Sequence, residues 1–182
     1  MIPAFNLSGV LPPFLGPNPT GRIEMSPYVV SMVEVVKHFA TSHERIHILI
    51  GLLDFRAALR TIGIVDGFQW LDGSFVEDVE KTRNRAPADV DIVTFAHRPT
   101  ASSGEWRHLV SDHLYLFDPR ITKAQYHCDA YFVDLDKKPF LVVDDTRYWF
   151  GLFSHQRATS LWKGMLSVPL QSDDDAARSL LE

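Results

Sequence analysis

Apolar positions recur along this chain with two different periods. Val29, Val30, Met32, Val33, Val36 and Phe39 recur at helical spacing, and Ser26-Pro27 ahead of them has the form of an N-cap followed by proline at the first helical position. A helix is predicted from there. A second helix is predicted from near Thr41, where Thr41 and Glu44 have capping-box spacing, through Ile46, Leu49, Leu53 and Leu59 to a stop at Gly63. After Asp66-Gly67 the period shortens. Residues 68–71 read as a strand ending at Asp72-Gly73-Ser74, residues 75–82 as a brief helix and residues 84–88 as a loop. Residues 89–95 alternate polar and apolar, as a strand does. A helix is predicted over 104–117, a strand over 127–135, a helix over the apolar and aromatic stretch 139–152, and a last strand over 164–170. The pattern describes an α/β chain of the α+β kind, with a small mixed sheet flanked by helices over residues 27–170 and a frayed or helical tail over 171–182.

Residues 1–26 break both periods. Pro12, Pro13, Gly16, Pro17, Pro19 and Gly21 predict an extended arm. Its apolar residues Phe5, Val10, Leu11, Phe14 and Leu15 predict an arm packed on the domain, since a free linker is more polar. The length of 182 residues suits one domain. A net charge of −5 argues against non-specific binding to a phosphate backbone, so no DNA partner is expected. Cys128 is the only cysteine, which excludes an internal disulfide and fits a reducing compartment. No apolar run is long enough to span a bilayer, and no basic region followed by an apolar stretch opens the chain. The expectation is a cytoplasmic protein with no membrane partner.

Two short segments carry candidate chemistry. In Asp89-Val90-Asp91 the strand period turns Val90 and Ile92 to the core and Asp89 and Asp91 together to the other side. Two carboxylates about 5–6 Å apart repel by about 3 kcal/mol at an effective dielectric near 20. Solvated aspartates at a strand edge satisfy the pattern; so does a divalent cation, because Mg²⁺ takes carboxylate oxygens and shares its other positions with phosphates. In Leu71-Asp72-Gly73-Ser74-Phe75 a strand runs into Gly-Ser at a helix start. That is either a plain capped turn or a phosphate site, in which glycine allows close approach and backbone N–H groups meet the anion.

The order of the two segments is more informative than either. A Gly-Ser turn, a short acidic helix with Glu77, Asp78 and Glu80, a polar loop and an Asp-x-Asp strand together resemble the signature of the DNA polymerase beta-like nucleotidyltransferase superfamily. The resemblance implies that Gly73 and Ser74 contact a triphosphate. It implies that Asp89 and Asp91, with a third carboxylate from a later strand, hold two Mg²⁺ or Mn²⁺ ions. Asp129 is the preferred third residue because it lies inside a run of strand formers; Asp134 competes but falls on the opposite face. Fourteen residues separate Ser74 from Asp89, toward the long end of that family's spacing.

A narrower resemblance, to an uncharacterised group of prokaryotic nucleotidyltransferase-like proteins, rests on Ile2-Pro3-Ala4-Phe5-Asn6, Gly9 through Pro13, Ser26-Pro27-Tyr28 and Arg157 through Lys163-Gly164. That group implies the fold and no substrate; the superfamily resemblance implies transfer of an NMP from an NTP, ATP foremost, to a hydroxyl on RNA or protein, and analogy with related small nucleotidyltransferases suggests a toxin or phage-defence setting, beside a partner protein or second copy. The alternative is an inactive nucleotide- or partner-binding module of the same fold. Among the basic residues Lys163 is the first choice for holding the triphosphate, ahead of Arg157 and Arg147. Cys128 alternates onto the apolar face as an inert thiol, and the four tryptophans read as core or interface.

Overall fold

In the computed structural model, which describes residues 1–182, the first helix begins at Ser31 rather than at Ser26. Ser31 accepts from the Glu34 N–H at 3.2 Å, and Glu34 accepts from the Ser31 N–H at 3.0 Å, a capping box heading α1 (Met32–Phe39). Ser26-Pro27 is a cis peptide leading into a short strand, β1 (Tyr28–Val29). The N–H groups of Tyr28 and Val30 donate to the carbonyls of Met165 and Ser167, so sheet pairing takes a segment that helical periodicity had claimed. Ser42, not Thr41, caps α2 (His43–Thr61), and the chain leaves that helix through Gly63 at φ +84°.

The strands follow at β2 (Gly67–Asp72) and β3 (Val90–Ala96), separated by a 3-10 turn (Gly73–Val76) and α3 (Val79–Arg83). The single helix expected over 104–117 is instead α4 (Ser103–Asp112) and a 3-10 turn, followed by a further helix, α5 (Pro119–Tyr126). Only Thr122 and Tyr126 of α5 are buried, so it has no apolar stripe to announce it. Its local signals are Asp118, which accepts from the Arg120 N–H at 2.9 Å, and Pro119 in the first turn. The remaining elements are β4 (Cys128–Asp134), α6 (Pro139–Phe153), β5 (Leu166–Pro169) and α7 (Asp174–Ser179).

The sheet runs β1-β5-β2-β3-β4 and is mixed. β2 is antiparallel to β5 and β3, β1 is parallel to β5, and β3 is parallel to β4 through the crossover that holds α4 and α5. One face carries the main core: Leu71, Val90, Ile92, Cys128, Ala130 and Leu166 pack with the apolar residues of α1 and α2. The other face is covered by α6 over a smaller cluster of Trp70, Val93, Phe95, Val133, Phe153 and Met165. No helix is long and apolar enough to cross a membrane.

The N-terminal arm lies against the domain through Val10 and Leu11, while Leu15 is exposed. Val10 and Leu11 are fully buried, and Phe5 sits 6.2 Å from Phe39. Gly9 accepts from the Asp78 N–H and Leu11 from the Gly164 N–H, both at 2.8 Å, so the arm braces the two segments that carry Glu77 and Lys163. A Cβ on Gly164 would overlap the Pro12 carbonyl, which fixes glycine there.

One buried cation ties the tail to the sheet. The Arg56 guanidinium donates to Asp174 at 2.8 and 3.0 Å, to Gln69 Oε1 at 2.7 Å and to the carbonyls of Pro169 and Leu170. Arg56→Met removes every one of these donors and leaves Asp174 with Arg60 alone. Urea denaturation should report a loss of about 3–5 kcal/mol; a loss below about 1 kcal/mol would show the network to be dispensable.

Candidate functional site

The strand registers set three aspartates abreast. Asp72 on β2 pairs with Asp91 on β3, and Asp91 pairs with Asp129 on β4. By alternation all three lie on the α6 side of the sheet, with Trp70, Val93 and Val133. Asp89, two residues before Asp91, opens into the same cleft. That cleft has a volume of about 560 Å³, and Gly73, Ser74, Asp89, Asp91, Asp129 and Lys163 all line it. Asp134 ends β4 on the other parity, 3.4 Å from the Arg98 guanidinium, and is not among the lining residues. Arg157 lines the rim, whereas Arg147 pairs with Asp144 away from it.

Gly73 is at φ +79°, and a Cβ there would overlap Asp91 Oδ2. Glycine at this position therefore lets the turn adopt the left-handed region and lets the Asp91 carboxylate rest against the backbone. The Gly-Ser bend opens a four-residue 3-10 turn rather than a full α-helix. Buried Arg45 holds it from behind, donating to the carbonyls of Phe75 and Glu77 at 2.7 Å each and to both Glu80 oxygens at 2.6 and 2.8 Å.

Lys163 enters this arrangement differently from the expected triphosphate contact. Its buried ammonium lies 3.1 Å from Asp72, 2.9 Å from Glu77 and 3.2 Å from the Gly73 carbonyl. Burial alone pushes its pKa down, but Asp72 and Glu77 outweigh that and raise it, so the group stays charged and acts as a strut under the turn. Glu77 also accepts from Arg83 at 2.9 Å and from Gln156 at 2.8 Å. Burial raises the Asp72 carboxyl well above the usual carboxylate range, with Lys163 opposing it.

The remaining acids are short of cations. Burial, then the charges of Asp89 and Asp129, push Asp91 up to about 6. Lys123 on α5 touches Asp89 Oδ2 and lies 3.9 Å from Asp129. Asp89 Oδ2 and Asp72 Oδ1 are buried without a hydrogen bond of good geometry, and each is met only by an ammonium in ion contact. No group of three or more His, Cys, Asp or Glu side chains is gathered closely enough to close around a metal ion. The donor set nevertheless fits a hard divalent cation in kind, since it offers carboxylate oxygens, one of them without a hydrogen bond, beside a carboxyl raised first by burial and then by its acidic neighbours.

Several lining residues escaped the sequence. Asp72 reads there as a turn residue, and Lys123 sits on the helix that lacked an apolar stripe. Tyr131, Tyr148 and Trp149 form an aromatic wall, with Trp149 4.6 Å from Tyr131 and 5.0 Å from Tyr148. Trp149 thus reaches the cleft rather than only the core. Cys128 is buried, its thiol pushed up by burial and 3.2 Å from the Tyr126 carbonyl, as an inert group is.

A protein-family model described as a family of unknown function, DUF6932, matches residues 3–169. Comparison with curated proteins and comparison with solved structures each gave no match.

Proposed function

The chain belongs to the DUF6932 family, and from its carboxylate cleft we propose that it is a divalent-cation-dependent nucleotidyltransferase, moving an NMP from an NTP to a hydroxyl on RNA or protein. The observation that carries the reading is the register of β3 and β4, which sets Asp91 beside Asp129 next to the bend at Gly73 and Ser74. Asp89, Asp91 and Asp129 are the residues that would hold Mg²⁺ or Mn²⁺. When bound, such ions neutralise phosphate charge and polarise the phosphorus–oxygen bonds at which displacement occurs.

The chain's own residues do the rest. The Gly73–Val76 turn, fixed by Arg45 and Lys163, presents backbone N–H groups and the Ser74 hydroxyl to the phosphates. Tyr148 and Trp149 offer ring faces to the base. Asp129, on β4 at the sheet edge, receives the proton of the acceptor hydroxyl. Titration calorimetry with each NTP and Mg²⁺, on wild type and Asp91→Ala, tests the reading. Heat with wild type alone is expected; no heat with any nucleotide would count heavily against it. Radiolabelled NTPs incubated with total RNA and total protein would then identify the acceptor.

The pH dependence has a definite sign. A cation competes with the proton on Asp91, so Mn²⁺ affinity should rise with pH through about 6. Without ligand, the raised pKa contributes stability that is present below the ordinary carboxylate value of 3.8 and is lost as pH rises through about 6. Scanning calorimetry should therefore show a Mn²⁺-induced rise in Tm that is small on the acid side of this window and grows across it. A rise independent of pH would place Mn²⁺ elsewhere.

A second reading, a nucleotide-binding module without turnover, draws on Lys123, which lies where a cation would compete for Asp89. Tight nucleotide binding with no transfer to any acceptor would favour it.

A further inference from the structure

We propose that Lys123 is a resident counter-ion: its ammonium excludes a free divalent cation from the carboxylate cleft and moves to a phosphate when cation and nucleotide enter together. The inference rests on the nucleotidyltransferase reading and adds an order of binding to it. Asp89 and Asp129 share this one close ammonium, with Asp91 between them on the sheet, because Lys163 is in ion contact with Asp72 and Glu77, and Arg83 with Glu77. The Lys123 contact falls on Asp89 Oδ2, the orphaned buried oxygen that a cation would otherwise satisfy. Residue 123 is well anchored. It lies on α5, which Asp118 caps and which packs on β4 and α2, with Tyr126 5.7 Å from Phe55. The side chain itself is 53% exposed, so the ammonium can swing on its four-carbon stem without moving the helix. An ammonium holding two of the three carboxylates makes binding of a bare cation a competition between like charges. A metal–nucleotide complex changes that balance, since its phosphates offer the displaced ammonium a new partner. Cation and nucleotide then bind with positive coupling, each strengthening the other by the same factor.

The test uses the full chain, with Mn²⁺ alone as the first probe and Mn²⁺ with a non-hydrolysable ATP analogue as the second, read by the spin resonance of free Mn²⁺. Lys123→Met is expected to bind Mn²⁺ alone about tenfold more tightly than wild type and to lose about tenfold of the strengthening that the analogue gives. Lys123→Gln, which keeps a polar side chain at this half-exposed position, should behave the same way and guards against a folding defect in the first variant. Unchanged or weaker Mn²⁺ binding in both variants, with binding intact in wild type, overturns the counter-ion role and leaves the carboxylate site standing. If no form binds Mn²⁺ with or without the analogue, the nucleotidyltransferase reading itself fails, and the counter-ion role with it.

Discussion

Asp91→Asn is expected to stabilise the ligand-free protein and to abolish its function, two effects of opposite sign from one substitution. The carboxyl of Asp91 is pushed from 3.8 to about 6 by burial and by Asp89 and Asp129, so near neutral pH the fold holds it ionised at a cost. An amide of nearly the same shape removes that charge. Some of the gain is lost because the amide also needs partners, leaving about 1–2 kcal/mol, or a rise in Tm of about 2–8 °C. On the proposed nucleotidyltransferase reading, transfer should fall by roughly 10²–10³-fold, because a group that would fix charge at the reacting phosphate is lost. If the substitution lowers Tm and leaves transfer intact, Asp91 is a structural carboxylate and the electrostatic reading is wrong.

Gly73→Ala should abolish binding by the opposite route. The residue is at φ +79°, where a Cβ costs about 1–2 kcal/mol in backbone strain. The added carbon would also overlap Asp91 Oδ2, so either the carboxylate or the turn must shift. The turn resists, because Arg45 and Lys163 grip its carbonyls. A destabilisation of about 2–4 kcal/mol is expected, with loss of Mn²⁺ and nucleotide binding as Asp91 is displaced. The pair of variants separates two causes: both impair the site, while one gains stability and the other loses it. Denaturant curves for the two beside wild type show the difference, and equal shifts in the same direction would contradict it.

Local pattern made much of this legible. The strand period in residues 89–95 and 127–135 predicts which aspartates leave the core, and Val90, Ile92, Cys128 and Ala130 are indeed buried on the opposite face. Register was not legible, because pairing Asp91 with Asp129 depends on a crossover of more than thirty residues whose length and second helix leave no periodic trace. Asp72 was obscured because it closes a strand and opens a turn at once. Lys163 was visible as a basic residue before a glycine, but its partners Asp72 and Glu77 lie far away in sequence, so only the fold could show that its charge is already matched. The start of the first helix is ambiguous in the sequence for a related reason. Ser26-Pro27 and Ser31 offer similar local signals, and pairing of Tyr28 and Val30 with the last strand decides between them.

Anomalous scattering from crystals soaked with Mn²⁺ and a non-hydrolysable ATP analogue would locate both ligands. Mn²⁺ peaks are expected among the carboxylates of Asp89, Asp91 and Asp129, with the phosphates against Gly73 and Ser74. Peaks elsewhere on the surface, or nucleotide bound away from that bend, would contradict the proposed site.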